Sequence, residues 1–269
     1  MTVDITLTVL GCGSSSGSPV VGCDCATCVS RNPKNCRSRC SAYVQIGEQG
    51  WLIDTGTDFR WQALREQLPR IDGVLYTHPH ADHLNGIDDL RAFCYRQKGA
   101  IAIYGNKHTI ANIQQRFDYA FFPVGHHWNR PVLQAHVVET SDQYPVFHIN
   151  QVPIWHFAVP HGRWTCSAFR IGNLAWFTDL NDISDEVVAC LAGVDYLFLD
   201  CLMERAYTSH LCREQAFAFA ERIAAKHTYF IHMTHALEYE SLLAQCPPNA
   251  APAYDGLQVR SRYCIPAAA

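Results

Sequence analysis

The segment Thr77-His78-Pro79-His80-Ala81-Asp82-His83 puts three imidazoles and one carboxylate within six residues, 78–83. Imidazole nitrogen and carboxylate oxygen are the ligand types that zinc and other divalent first-row metals take. Packing alone does not call for such a cluster, so the reading is a metal site. His78 and His80, one residue apart in extended chain, can point the same way. Asp82 and His83 are adjacent and are expected to diverge, so one ion would not take all four side chains. Two metals sharing the loop is the solution the spacing suggests. Zinc, manganese and iron all suit His/Asp ligation.

Such a cluster needs elements that bring it to an edge. Ile71-Asp72-Gly73-Val74-Leu75-Tyr76 is a short apolar run of buried-strand type, and 84–93 carries apolar residues at helical spacing. The histidines therefore belong to a loop at the carboxyl end of a strand, where α/β sheets place their sites. A two-metal site needs more ligands, and the same rule supplies them. His161 follows Val159-Pro160, Asp179 follows Trp176-Phe177-Thr178, and His232 follows Phe230-Ile231. His78, His80 and His161 would hold one metal, and Asp82, His83 and His232 the other, with Asp179 bridging. Asp54, after Leu52-Ile53, either orients a ligand imidazole or caps the Thr55-Gly56 turn.

Further strands are expected at 5–10, 41–46, 50–54, 100–105, 152–159, 166–171, 174–178, 196–200 and 229–231, the last read as terminal. Helices are expected at 61–68, 109–115, 185–191 and 213–223. Hairpins come early and strand–helix alternation later, with no linker between. This predicts one α/β domain over 1–269, with two mixed sheets face to face and helices outside.

A chain of 269 residues with 48% hydrophobic and 17% charged residues has the composition of a globular protein. A net charge of -4 leaves no basic track for long nucleic acid, though it permits a nucleotide-sized substrate. No apolar run approaches the ~20 residues of a membrane span, and no signal peptide is read at the N-terminus. Thirteen cysteines, an odd number, point to reduced thiols and a cytoplasmic setting.

His78, His80, Asp82, His83, His161, Asp179 and His232 together resemble the metallo-β-lactamase superfamily in its dinuclear hydrolase form, and the resemblance runs from Leu10-Gly11-Cys12-Gly13 to Tyr254-Asp255-Gly256. It implies a four-layer αβ/βα sandwich with the site at one edge.

Gly22-Cys23-Asp24-Cys25-Ala26-Thr27-Cys28 adds a second cluster. Three thiols in six residues suit a tight loop on one structural zinc, which needs a fourth ligand to be tetrahedral. Cys36 and Cys40 are candidates, but His235 is the better one, three residues beyond His232. The cysteine loop, at about 22–40, would then be tied by zinc to the C-terminal part of the chain.

The Gly11–Pro19 opening, the cysteine loop and the Tyr254-Asp255-Gly256 segment are similar to the PhnP-type phosphodiesterases, relatives of RNase Z. That resemblance implies a further histidine ahead of a C-terminal helix, and His210, before 213–223, matches it as phosphate contact or proton donor. Asp82, Asp179 and His210 are the expected catalytic residues, with Asp255, like Asp54, behind the ligands. An aromatic-rich insertion at about 117–130 could stack on a leaving group, make a dimer contact or cover the core.

The expected reaction is hydrolysis of a small cyclic ribose phosphate or nucleotide diester, by water activated between two zinc or manganese ions about 3.5–4 Å apart. The alternative is a lactone or thioester hydrolase on the same dinuclear site. A homodimer is the expectation that the resemblance carries.

Overall fold

The computed structural model describes residues 1–123 and 129–265. The first sheet contains β1 (Thr2–Gly11), β2 (Ser41–Ile46), β3 (Gln49–Ile53), β4 (Gly73–Leu75), β5 (Ile101–Gly105) and β6 (Leu133–Val137). The second contains β7 (Phe147–Ile149), β8 (Val152–His161), β9 (Trp164–Ile171), β10 (Leu174–Phe177), β11 (Tyr196–Asp200), β12 (His227–Ile231) and β13 (Ala250–Pro252). The chain then returns to the first sheet as β14 (Gln258–Cys264), antiparallel to β1. The strand orders are β14-β1-β2-β3-β4-β5-β6 and β13-β12-β11-β10-β9-β8-β7.

The helices are α1 (Phe59–Arg65), α2 (Ala81–Leu84), α3 (Arg91–Gln97), α4 (Lys107–Arg116), α5 (Asp185–Cys190), α6 (Arg213–Ile223) and α7 (Tyr239–Leu243). α1 lies against β1, α4 against β5 and β6, and α6 against β11. The result is the αβ/βα sandwich of two mixed seven-stranded sheets that the resemblance implied.

The layer order explains the apolar runs. Ile53 and Leu75 join a large cluster with Phe169, Trp176 and Phe198 of the second sheet. Their neighbours Leu52 and Val74 point the other way, to a second cluster with Phe59, Phe93, Ile110 and Ile113 under the helices. A strand covered on both faces reads as a continuous apolar run, because alternation sends successive side chains into two different cores.

Strand direction brings the site together. In the first sheet β3, β4 and β5 run parallel, and in the second β10, β11 and β12 do. β8 shares the direction of β10, since both are antiparallel to β9. The carboxyl ends of all these strands therefore meet at one edge of the sandwich. There Ser167 N–H donates to Thr77 O at 2.9 Å, joining the two sheets.

Several elements differ from the sequence expectation. The strand at 227–231 is not terminal, because β13 and β14 follow it. Strand β14 alternates with Arg260 and Arg262 on its exposed side, and it exists through its ladder with β1 rather than through local apolarity. The helical stretch expected at 84–93 divides into α2, a 3₁₀ turn at Ile87–Leu90 and α3. The core of the aromatic insertion, 124–128, lies outside the described residues. Among those described, no helix is long and apolar enough to cross a membrane.

Candidate metal centre

Three candidate residues sit just past strand ends with left-handed backbone: Asp54 (φ 63°), Asp179 (φ 56°) and His232 (φ 57°). Non-glycine residues rarely adopt this region, and where they do the surrounding structure enforces it. Here it turns each side chain out of its sheet and toward the common edge. Gly56 and Gly86 complete the support. A Cβ on Gly56 would lie 2.1 Å from the Asp82 carbonyl oxygen, and one on Gly86 2.1 Å from the Gly56 oxygen. Only glycine lets the Thr55–Gly56 turn close on α2.

The polar atoms converge in two sets. His78, His80, His161 and Asp179 bring one ligand atom each within 4.8 Å of one another, and so do Asp82, His83 and His232. Asp179 belongs to both. Its Oδ1 lies 3.2 Å from His83 Nε2 and 3.4 Å from His232 Nε2, while its Oδ2 lies 3.7 Å from His78 Nε2. Asp82 and His83 do not diverge as adjacency suggested. Asp82 Oδ2 comes within 3.3 Å of His83 Nε2, because both lie in the first turn of α2 and their side chains bend to one point.

Hydrogen bonds behind the rings decide which nitrogen faces inward. Thr77 Oγ1 donates to Asp54 Oδ2 at 2.7 Å, so it accepts from His78 Nδ1 at 3.0 Å. His83 Nδ1 donates to Asp54 Oδ2 at 2.7 Å, and His161 Nδ1 to Ser209 O at 2.7 Å. Each ring is left with its Nε2 turned to the centre, the arrangement in which a carboxylate or carbonyl orients a ligand imidazole. Burial pushes the His78, His80 and His161 imidazoles down, holding them neutral. His83 goes the other way. Burial opposes its charge, but Asp179, Asp82 and Asp54 outweigh that and raise it.

Among the described residues, buried His83 Nε2 and His232 Nε2 have no hydrogen-bond partner. A buried polar atom without a partner is costly, and here both nitrogens face carboxylate oxygens at the distances quoted above. Two ligand atoms on one tetrahedral zinc lie about 3.3 Å apart when each bond is near 2.0 Å. The donor set fits divalent cations.

The cysteine cluster fits a cation as well. Cys23, Cys25 and Cys28 Sγ lie 3.3, 3.4 and 3.4 Å from His235 Nδ1. Tetrahedral zinc with bonds near 2.3 Å to sulfur and 2.0 Å to nitrogen sets that separation at about 3.5 Å. The Cys28 backbone N–H, ahead of contacts with Cys23, Cys28 and His235 side chains, pulls the Cys25 thiol down to about 6, toward the thiolate that binds metal. Cys36 is exposed and Cys40 is buried beside Thr178, so neither joins the cluster. Backbone bonds from Ser14 N to Met233 O and from Met233 N to Cys12 O hold the N-terminal loop against the strand end that carries His235.

His210 reaches the same centre. Its Nδ1 donates to Asp200 Oδ2 at 3.0 Å, its Nε2 lies 3.8 Å from Asp179 Oδ2, and its ring stacks on His232 at 4.9 Å. Burial lowers this imidazole, but Asp200 and Asp179 outweigh it and raise it overall. Asp200 escaped the sequence reading. The signal was present, since Asp200 ends the apolar run Tyr196-Leu197-Phe198-Leu199 just as His232 follows Phe230-Ile231.

Asp255 is elsewhere. It accepts from Cys12 N, Ser38 N, Ser38 Oγ and Arg65 Nη1, and among the described residues it bonds no candidate ligand. It clamps the start of the chain to α1 rather than orienting an imidazole.

This fold and this edge define a superfamily of metal-dependent hydrolases. Residues 51–233 match the beta-lactamase superfamily domain, and the chain belongs to the metallo-β-lactamase superfamily, whose fold implies divalent metal ions. Within it the chain is of the PhnP type: it is 36% identical to a diphosphatase of the PhnP family, over 98% of this chain and 100% of that one, with a TM-score of 0.90. It is also 34% identical over 258 residues to an octanoyltransferase of Porphyromonas gingivalis, covering 93% of this chain. The chain spans only 50% of the length of that relative. The human short-form tRNase Z shares the fold at 20% identity, with a TM-score of 0.69 over 97% of this chain and 100% of that one.

Proposed function

We propose that this protein is a dinuclear metal-dependent phosphodiesterase acting on a small cyclic ribose phosphate or nucleotide diester. The observation that carries this reading is Asp179, whose two carboxylate oxygens face two different histidine sets. When bound, two zinc or manganese ions supply an activated water at neutral pH and offset charge on the phosphoryl oxygens. His78, His80 and His161 would hold one and Asp82, His83 and His232 the other, with Asp179 shared between the two sets. A further zinc on Cys23, Cys25, Cys28 and His235 serves the fold.

The remaining steps fall to the chain. Asp54, Thr77 and Ser209 keep the ligand rings in one tautomer. Asp200 holds His210 with Nε2 toward the centre, where as an imidazolium it contacts a phosphoryl oxygen or passes a proton to the departing oxygen. A net charge of -4 and the absence of a basic track in the sequence favour a small substrate. The PhnP-family relative, a diphosphatase, supports phosphoryl chemistry.

The octanoyltransferase relative favours a second reading, a carbonyl hydrolase for acyl thioesters or lactones on the same centre. That relative is twice as long as the matched segment, so its named activity belongs to a larger protein.

The test is hydrolysis of bis-(p-nitrophenyl) phosphate by zinc- or manganese-loaded protein, beside an octanoyl thioester and a lactone. Diester turnover is expected, abolished in His80→Ala and reduced on the order of 10²-fold in His210→Ala with metal content retained. Thioester turnover without diester turnover would establish the second reading instead.

A further inference from the structure

Beside the first histidine set lies a cleft of about 220 Å³, lined in part by His78, His80, His108, Asn112 and Trp164. Its walls come from both sheets. His108 stands in the first turn of α4, just past β5, and Asn112 one turn later on the same face. Trp164 begins β9 and pairs across the hairpin with His161, a member of the first set. The His108 and Trp164 rings lie 5.8 Å apart and 22° from parallel, and the Arg163 guanidinium sits 5.1 Å from the Trp164 ring centre. Trp164 is 47% exposed, so its ring serves the mouth of the cleft more than the core.

We infer that this cleft is the subsite for the base of a nucleotide substrate, with the heterocycle packed against the Trp164–His108 lip while the phosphodiester occupies the histidine centre. The inference rests on the phosphodiesterase reading and names its substrate class. A nucleobase is flat, presents a π face to aromatic rings, and carries donors and acceptors on its edge. Asn112 offers both a donor and an acceptor to such an edge. Arg163 adds positive charge at the mouth, which favours an anionic nucleotide in a chain that is acidic overall. A base-free diester would present no π face to the Trp164–His108 lip.

The experiment compares 2′,3′-cyclic AMP with the same ribose cyclic phosphate lacking the base, in parent protein, Trp164→Ala and Trp164→Phe, all metal-loaded. In Trp164→Ala the ratio of kcat/KM for the nucleotide over the base-free diester is expected to fall about tenfold, through KM, with Trp164→Phe retaining most of it. An unchanged ratio, or equal losses on both substrates, overturns the subsite. If the parent hydrolyses neither diester, the phosphodiesterase reading fails separately. Calorimetric binding of 3′-AMP against ribose 3-phosphate then decides the subsite. A preference for the nucleotide that Trp164→Ala removes supports it, and equal binding overturns it.

Discussion

Asp54 Oδ2 accepts a 2.7 Å hydrogen bond from His83 Nδ1, and the pair is buried, with side-chain exposures of 1% and 0%. The same oxygen accepts from Thr77 Oγ1, which in turn receives His78 Nδ1. One carboxylate thus orients a ring in each candidate metal set. Asp54→Asn keeps the shape and tolerates the left-handed backbone, but it loses the charge that both donors face. The expected outcome is a folded protein whose active-site metal affinity falls 10- to 100-fold. Competition with a chromogenic chelator measures this, and unchanged affinity would remove Asp54 from the set of orienting residues.

Cys25→Ser tests whether the cysteine cluster holds a metal ion. Three thiols and His235 lie at zinc distances, and the loop is joined to the β12 end by backbone bonds near Met233. Removing one thiol is expected to lower zinc content by one ion while the histidine centre still binds metal. Stability should fall by roughly 3 kcal/mol, which for a chain of this size lowers Tm by about 6–12 °C. Elemental analysis and thermal denaturation read the two effects. Full zinc content in the variant would mean that the cysteines do not hold it.

His156 sets part of the pH dependence of stability. It is fully buried between the sheets, stacks on Phe169 and shares a 2.7 Å hydrogen bond between its Nε2 and Ser167 Oγ. Burial pushes its imidazole down to about 4, below the ordinary 6.5. The unfolded chain therefore binds the proton more readily. The stability at stake is fully present above pH 6.5 and is lost as pH falls from there toward 4. Replacing His156 with Gln should reduce the loss between about pH 7.5 and about pH 4.5 by about 2 kcal/mol. Urea unfolding of parent and variant at the two pH values gives the difference, in which the other histidines cancel. Equal losses would show that His156 does not titrate in this range.

Much of the site is local and so is legible along the chain. A ligand at a strand end is announced by the apolar run before it, and this rule finds His161, Asp179 and His232 as well as the 78–83 cluster. It would also have found Asp200. The rule fails where neighbours in sequence leave the extended state. Adjacency in an extended loop would part Asp82 and His83, whereas a helical turn starting at Ala81 folds both tips inward. Likeness alone places Asp255 behind the ligands, and its actual partners, Cys12, Ser38 and Arg65, are all distant in sequence.

The sequence by itself determined the chemistry available, namely which donors stand at strand ends, the three-cysteine loop with His235, and apolar runs that demand two covered sheets. Spacing and alternation carry that information because they depend only on neighbours within a few residues. The tertiary structure alone decided how those donors combine. Asp179 divides its oxygens between two sets only because β10 ends opposite the β4 loop. His108 and Trp164 form a lip only because β5 and β9 meet at one edge. Such pairings bring together residues tens of positions apart, and the direction and register of two packed sheets, rather than any local pattern, select them.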